Sequence, residues 1–397
     1  MENNSNSVTQ LSNGITLHIK EFPITPLAGM TFKIHLTDHE KTGLPHLVEH
    51  VLINQTKTPD FIKLSGSTDL NSISIKMIGK NKDLVNFSQY FLNKLFTFKI
   101  KTKSLQNEKA VVIQEIRQYG NSKLEKFANI ARNCSFKDSN LFDDDVLGNF
   151  NTITNVTTQD IYEFLNYHLI KNNISVLIAG DCLTLHQLKD NIGKYTLKVC
   201  SSAANSIIEN LSQSENLIFK KTIIGNQDQK QSSQLSFIFK IDSNRLNEEK
   251  ILALSMLFSL LNMGTYSLLS QMQHFVPELY YFQAIPIFRR KNIYLQLLSS
   301  CNIQDTKIIE NQINTVFSIL ANLDLSDLKN IIHNIKFQQN LLFDGVEKSI
   351  SSFANMPLEQ EKITNLSDIN AISISKKFKE ITTDLIDQKR STVIAYI

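Results

Sequence analysis

The segment 43–53 constrains this chain most, because it combines a helical apolar stripe with a second face of two histidines and a glutamate. His46 and His50 are four residues apart, so one helical turn places both imidazoles on the same side, with Glu49 beside them. The apolar residues follow the spacing of a core-facing stripe: Leu44, Leu47, Val48, Val51 and Leu52. The pattern predicts an anchored helix with a polar face, and Thr42 is the expected N-cap.

Two imidazoles one turn apart can share a metal ion. Zn²⁺ prefers four tetrahedral ligands, and catalytic sites leave one of the four positions to water. The order His-x-x-Glu-His is the inverzincin signature, in which Glu49 accepts a proton from the catalytic water. His46 and His50 therefore predict a zinc site that needs a third protein ligand from elsewhere. The alternative is a surface helix with a solvated His/Glu face.

A candidate third ligand lies in a predicted helix that has Ser104 as its N-cap. Glu108 and Glu115 are seven residues apart, so they lie two turns apart on one face, together with Val111 and Val112. Burying a carboxylate among aliphatic side chains is costly unless the carboxylate is paired or binds a metal. We therefore expect Glu115 to bind the metal and Glu108 to assist catalysis by orienting a ligand. Two salt-bridged glutamates on a half-exposed helix are the alternative.

With both segments in place, the chain resembles the pitrilysin family of metallopeptidases, which includes small bacterial members and the mitochondrial processing peptidase. The segment with the Asn13-Gly14 hairpin turn ahead of an alternating run is similar to the family's first strand. The segment 65–72 resembles the family pattern Gly-Gly-x-x-Asn-Ala-x-Thr, with Asp69 and Leu70 at the Asn and Ala positions. In the family this pattern is the entry to a strand, and that strand is a sheet edge to which substrate adds by main-chain pairing. The resemblance thus implies substrate contacts from Asp69 and Leu70.

The resemblance also implies an activity. His46, His50 and Glu115 would bind Zn²⁺, and Glu49 would be the general base of a zinc-dependent endopeptidase. Small or unfolded peptides are the expected substrates, and a precursor peptide with a removable leader is the first choice. The alternative is a non-catalytic subunit that holds peptides or supports assembly. A purely structural zinc site fits less well, because such sites usually have four protein ligands.

The second half of the chain departs from the family pattern. Family members hold substrate with an Arg and a Tyr seven residues apart; here Tyr281 keeps its place, but His274 stands at the Arg position and Glu278 at a Gly position. An imidazole lacks the charged bidentate fork of a guanidinium. The resemblance therefore implies a homologous partner subunit that supplies the Arg/Tyr pair. A homodimer or a monomer in which Tyr281 suffices is the alternative, and His274 is then an ordinary histidine.

The length of 397 residues suits two domains. We expect an N-terminal zinc-binding domain at 1–200, a linker at 201–216, and a homologous C-terminal domain at 217–397 that lacks the histidine motif. The expected fold class is α+β, with a mainly antiparallel sheet in each domain and helices packed on one face of it.

Composition narrows the function classes. The charged fraction of 20% and the net charge of +3 lack the strong positive excess that is typical of nucleic-acid-binding proteins. The start of the chain lacks a signal-peptide pattern and no apolar run is long enough to span a bilayer, so we expect a cytoplasmic protein without a membrane partner. The four cysteines lack Cys-x-x-Cys spacing, which disfavours a cysteine zinc site.

Overall fold

The structure, a computed structural model, describes residues 6–36, 41–119, 123–136, 146–198, 217–226, 231–241, 247–289, 292–342, 344–356 and 370–396. The chain divides into two compact units. The first contains Met1–Asn121, Asp144–Ser212 and Gln339–Thr364; the second contains Ser122–Asp143, Gln213–Gln338 and Asn365–Ile397. Each unit thus takes one segment from the other half of the chain. The expected linker 201–216 lies outside the described residues, and the domain boundaries at 200 and 217 stay a prediction.

The described residues form eleven strands and thirteen α-helices. The strands are β1 (Asn6–Gln10), β2 (Thr16–Glu21), β3 (Leu27–His35), β4 (Lys63–Thr68), β5 (Ser72–Lys80), β6 (Ile174–Gly180), β7 (Lys221–Ile224), β8 (Ser232–Ile241), β9 (Tyr281–Arg289), β10 (Asn292–Asn302) and β11 (Ser391–Tyr396). The helices are α1 (Leu44–Asn54), α2 (Asn81–Phe96), α3 (Thr102–Tyr119), α4 (Lys123–Ser135), α5 (Phe150–Asn155), α6 (Thr158–His168), α7 (Cys182–Gly193), α8 (Glu248–Asn262), α9 (Leu268–Gln273), α10 (Thr306–Ala321), α11 (Leu325–Leu342), α12 (Val346–Ala354) and α13 (Ala371–Asp387).

The first unit is built on a six-stranded sheet in the order β1-β2-β6-β3-β5-β4. The pair β2 and β6 is parallel, and the other neighbours are antiparallel. The expected Asn13-Gly14 turn joins β1 to β2, and Gly14 has a φ of 86°. Strand β4 is an edge of this sheet. Strand β5, which the 65–72 segment enters, lies between β3 and β4, so the expectation that this strand is an edge is wrong.

Both faces of this sheet are covered. Because side chains alternate along a strand, Met30, Phe32 and Ile34 of β3 join the core beneath the helices, whereas Thr31 and Lys33 point to the other face. There the Thr31 hydroxyl donates to the carbonyl of Ile350 in α12 at 2.8 Å. The buried Lys33 ammonium donates to the carbonyls of Phe353 and Met356, which satisfies acceptors at the C-terminal end of α12.

The second unit repeats the plan with a five-stranded sheet in the order β7-β11-β8-β10-β9, in which only β7 and β11 pair in parallel among the described strands. One face carries α8, α10 and α13 on a core that includes Phe237 and Phe239. The other face carries α4, where Arg132 donates to the Gln296 side chain at 3.1 Å and Gln296 donates to the carbonyl of Ala128 at 3.2 Å.

These two units confirm the expected α+β class, with mainly antiparallel sheets. The strand orders β2-β6-β3-β5-β4 and β7-β11-β8-β10-β9 match position by position, which shows a structural repeat that residue-level comparison of the halves does not reveal. The sequence analysis predicted helices on one face of each sheet. The structure has a further helix on the other face, α12 in the first unit and α4 in the second. Among the described helices, none is both long enough and apolar enough to cross a membrane.

Candidate metal centre

The start of α1 is held by a close backbone contact. The helix begins at Leu44, and its N-cap is Gly43, with a φ of 77° and no side-chain cap, so the expected Thr42 cap is wrong. Gly148 also has a positive φ, 75°, and a Cβ at Gly148 would lie 2.8 Å from the Cα of Gly43. Left-handed backbone and close approach both require glycine here. This contact sets where the helix begins, and thereby where its polar face points.

The predicted apolar stripe of α1 is buried in the core of the first unit: Leu44, Leu47, Val48, Val51 and Leu52. His46 and Glu49 on the other face are also buried, each 8% exposed, because α3 and β4 pack beside the helix. The alternative of a solvated His/Glu face is therefore wrong. Burial of these polar groups requires partners for them.

Helix α3 supplies a partner for His46, although the helix starts earlier than expected. It begins at Thr102, so Ser104 lies within the helix and is not its N-cap. Glu108 is 7% exposed. The Glu115 side chain is 39% exposed, and Val111 is 43% exposed, so the aliphatic surroundings expected for Glu115 are wrong. Its carboxylate lies beside the two histidines instead.

Three candidate ligand atoms converge. Nε2 of His46 lies 3.2 Å from Nε2 of His50, and Oε2 of Glu115 lies 3.5 Å from each of these nitrogens. Zinc ligands at their usual distances and at tetrahedral angles are separated from one another by about 3.3–3.5 Å. The triangle of donor atoms therefore fits three corners of a zinc tetrahedron. Among the described residues this is the one His/Cys/Asp/Glu cluster with metal-binding spacing.

The electrostatics favour metal binding. Burial, with a smaller contribution from His50, lowers the pKa of His46 to about 4, so the imidazole is neutral near pH 7 and its nitrogen lone pair is available. Two imidazole nitrogens 3.2 Å apart beside one carboxylate oxygen are a donor set that a divalent cation stabilises. The residues present thus fit the zinc that the motif implies.

Glu108 lies behind the ligands. Its Oε2 is 3.6 Å from Nδ1 of His50, the ring nitrogen that faces away from the triangle. The same oxygen accepts a hydrogen bond of 2.6 Å from Nδ2 of Asn54. A carboxylate in this position favours the tautomer of His50 that has its proton on Nδ1 and its lone pair on Nε2.

Glu49 is not part of the triangle. Its Oε2 accepts a hydrogen bond of 2.9 Å from the hydroxyl of Thr68 in β4. Burial raises the pKa of Glu49, while the Thr68 hydrogen bond and the nearby His50 act in the opposite direction and the Glu115 charge adds to the rise. A buried carboxylate with an elevated pKa is suited to receive a proton near neutral pH.

Asp69 and Leu70, which were expected to contact substrate, lie in the turn between β4 and β5. The Asp69 carboxylate accepts from the backbone N–H groups of Asn71 and Ser72, at 2.7 and 2.8 Å, and from the Ser72 hydroxyl at 3.1 Å, so it closes its own turn between β4 and β5. Leu70 is half-buried in that turn. The substrate roles of Asp69 and Leu70 stay predictions.

In the second unit, Tyr281 begins β9, and its hydroxyl donates to the side chain of Gln283. His274 follows α9 as its C-cap residue. The substrate role of Tyr281 also stays a prediction.

Three residues of the site were missed by sequence reasoning. Asn54 and Thr68 donate to Glu108 and Glu49, and Gly66 lies against the Glu49 carboxylate. The only signal for Asn54 is its position one turn after His50. The contacts of Thr68 and Gly66 arise from the packing of β4 on α1, which no spacing in the sequence encodes.

Comparison with known proteins identifies the fold. No protein-family profile matches the sequence, and no curated protein matches it significantly. Solved structures do match. A protease from Helicobacter pylori has a TM-score of 0.74 at 16% identity, over 99% of this chain and 100% of that chain. An M16-like peptidase from Alicyclobacillus acidocaldarius has a TM-score of 0.72 at 12% identity, over 100% of this chain and 99% of that chain. An inactive M16 peptidase domain from Pseudomonas fluorescens has a TM-score of 0.72 at 11% identity, over 98% of each chain.

These similarities extend over essentially the whole chain, so the two-unit architecture is that of the M16-like peptidases, the pitrilysin fold expected from the sequence. At such identities they establish the fold alone. The matched structures include an inactive domain, so the function has to be argued from the site.

Proposed function

We propose that this protein is a zinc-dependent endopeptidase. The observation that carries the proposal is the convergence of His46 Nε2, His50 Nε2 and Glu115 Oε2 at tetrahedral ligand spacing, with a buried carboxylate beside them. A structural zinc site would use a fourth protein ligand, and among the described residues the cluster has three.

Each residue of the site has a distinct task in this proposal. His46, His50 and Glu115 hold the ion, and Glu108 orients His50. When bound, Zn²⁺ acidifies water and polarises a carbonyl group. Glu49 accepts the proton of the attacking water and passes it to the leaving amine of the peptide. Its buried position places the proton acceptor away from bulk solvent. No covalent intermediate with the chain is required.

The proposed substrates are small or unfolded peptides, with a precursor peptide that carries a removable leader as the first choice. Extended backbone can pair with the outer side of β4, which is an edge of its sheet. We further propose a homologous partner subunit that supplies an Arg/Tyr pair, because His274 and Glu278 replace two residues of the expected substrate-holding pattern and only Tyr281 keeps its place.

A second candidate is a non-catalytic subunit that holds peptides. Two observations favour keeping it: the Arg position is occupied by His274, and one structure with the same fold is an inactive peptidase domain. The presence of all three metal ligands and of Glu49 weighs towards catalysis.

The experiment is to purify the chain, measure its zinc stoichiometry, and assay cleavage of a mixture of internally quenched fluorogenic peptides. We expect about one zinc per chain and cleavage that a chelator abolishes and added zinc restores. Stoichiometric zinc without cleavage, both alone and with a homologous subunit that carries the Arg/Tyr pair, would overturn the peptidase proposal in favour of the second candidate. Strong cleavage by the chain alone would contradict the partner requirement.

A further inference from the structure

The general base proposed above is held by a strand as well as by its own helix. Glu49 belongs to α1, and its Oε2 accepts a hydrogen bond of 2.9 Å from the Thr68 hydroxyl on β4. Two positions earlier on the same strand is Gly66. A Cβ built at Gly66 would lie 2.3 Å from Oε1 of Glu49 and 2.8 Å from its Cδ. The carboxylate therefore occupies the space that a side chain at Gly66 would take.

The strand register explains why these two residues meet the base. Thr68 pairs with Ile73 and Gly66 with Ile75 on β5. Residues paired in this way point to the same face of a sheet, and Ile73 and Ile75 belong to the core beneath α1. Thr68 and Gly66 are thus aimed at the helix by strand periodicity, while Ser67 between them points to the other face.

The two residues contact different oxygens of the Glu49 carboxylate. Thr68 fixes Oε2. Among the described residues no hydrogen bond is formed by Oε1, which lies against the bare Cα of Gly66. A carboxylate held through one oxygen retains the lone pairs of the other for an incoming proton.

We propose that Thr68 and Gly66 are positioning residues for Glu49, so that the edge strand β4 sets the orientation of the proton acceptor. The inference rests on the proposed peptidase function, and it adds a consequence: the strand whose outer side is free to pair with extended backbone also holds the base with its inner side. Disorder in β4 would then impair the chemical step as well as peptide binding.

The first test compares the kinetic constants of zinc-loaded variants on one fluorogenic peptide that the wild type cleaves, with the homologous subunit present where cleavage requires it. Thr68→Val keeps the shape of the side chain and removes the donor. We expect it to lower kcat at least about tenfold with KM and zinc content close to wild type, because only the proton transfer is affected. Thr68→Ser, which keeps a hydroxyl, should recover most of kcat. Gly66→Ala should also lower kcat, because its methyl group would displace the carboxylate and would lie 2.4 Å from Cδ1 of Ile53.

Thr97→Val is the matched control, because it removes an exposed hydroxyl whose partner is the Asn93 carbonyl in α2. Its kcat should equal that of wild type. A Thr68→Val variant with unchanged kcat, or one that changes only KM or zinc content, would overturn the positioning role.

The second test does not depend on peptidase activity. A double-mutant cycle of Thr68→Val and Glu49→Ala, measured as free energy of unfolding of the zinc-free protein, should show non-additive effects if the hydrogen bond exists. Additive effects would overturn the inference even in an active enzyme. Conversely, if the cycle shows coupling but the zinc-loaded protein cleaves no peptide, either alone or with the homologous subunit, the proposed function is refuted and the contact is established.

Discussion

The Asn54 side chain donates a hydrogen bond of 2.6 Å to the Glu108 oxygen that lies 3.6 Å from Nδ1 of His50. Asn54 and His50 are one turn apart on α1, so a single carboxylate from α3 bridges two residues of the same helix. Asn54 thereby restrains a carboxylate that in turn restrains a candidate metal ligand. The arrangement connects a residue outside the histidine motif with the candidate metal site.

Replacing Asn54 should weaken zinc binding. Asn54→Leu removes the donor at similar volume and leaves Glu108 free to rotate away from His50, which we expect to lower zinc affinity about tenfold. Competition with a chromophoric chelator measures the affinity. Asn155→Leu is the control, since Asn155 is an exposed residue at the end of α5. Equal affinities for Asn54→Leu and wild type would show that the hydrogen bond does not support the site.

Replacing Glu49 and Glu115 by Gln should affect zinc content and peptide cleavage differently. Glu49→Gln should retain about one zinc per chain and lose nearly all cleavage, because an amide cannot accept the proton. Glu115→Gln should lower zinc occupancy, because it removes the negatively charged ligand. Metal analysis and peptide cleavage on both variants separate the two roles. Substantial turnover by Glu49→Gln would rule out its role as the base.

The α12 face of the first sheet should make stability depend on pH. Burial, together with the charge of Lys33, lowers the pKa of His18 to about 4, and burial, Lys33 and His18 lower that of His35 to about 3. Unfolded histidines titrate near 6.5, so below that pH the unfolded chain binds more protons than the folded chain. Stability is therefore fully present above about pH 6.5 and falls as the pH falls towards 4.

Urea unfolding of the zinc-free protein at several pH values between 7.5 and 4.5 measures this dependence. His18→Gln removes one of the titrating groups and should flatten the slope of stability against pH, even though the packing of His18 on Phe353 is lost. A variant with the same slope as wild type would contradict a neutral, buried His18. Comparing slopes rather than absolute stabilities cancels the contribution of carboxylates that titrate in the same range.

The glycine contact at the start of α1 should be sensitive to a single methyl group. Gly148→Ala places a Cβ 2.8 Å from the Cα of Gly43 at a positive φ, so we expect a loss of about 1–3 kcal/mol in the free energy of unfolding. Zinc affinity should fall too, because the helix that bears both histidines is displaced. Gly193→Ala is the control, since a Cβ there meets nothing within 4 Å; Gly193 is the last residue of α7, so the change to Ala should leave stability unchanged or raise it by up to about 1 kcal/mol. Similar stabilities of the two variants would exclude the proposed constraint.

Local sequence patterns predicted much of this molecule because they depend on short distances along the chain. The 3.6-residue periodicity of α1 placed His46, Glu49 and His50 on one face, and the seven-residue spacing placed Glu108 and Glu115 on one face of α3. Even there the helix starts were wrong: the N-cap of α1 is Gly43 rather than Thr42, and α3 already begins at Thr102, two residues before Ser104.

By itself, the sequence determined the candidate ligand types and their helical faces, since these follow from a periodicity of 3.6 residues. The α+β class followed from the order of predicted strands and helices and from the family resemblance. Only the tertiary structure decided which groups meet. It brought Glu115 to the imidazoles, Asn54 to Glu108 and Thr68 to Glu49, and it assigned 123–135 to the second unit and 346–354 to the first. Such contacts are selected by the packing of the whole chain. Lys33 illustrates the reason: its ammonium is matched to carbonyl groups about 320 residues further along the chain, and their proximity depends on every element folded between them.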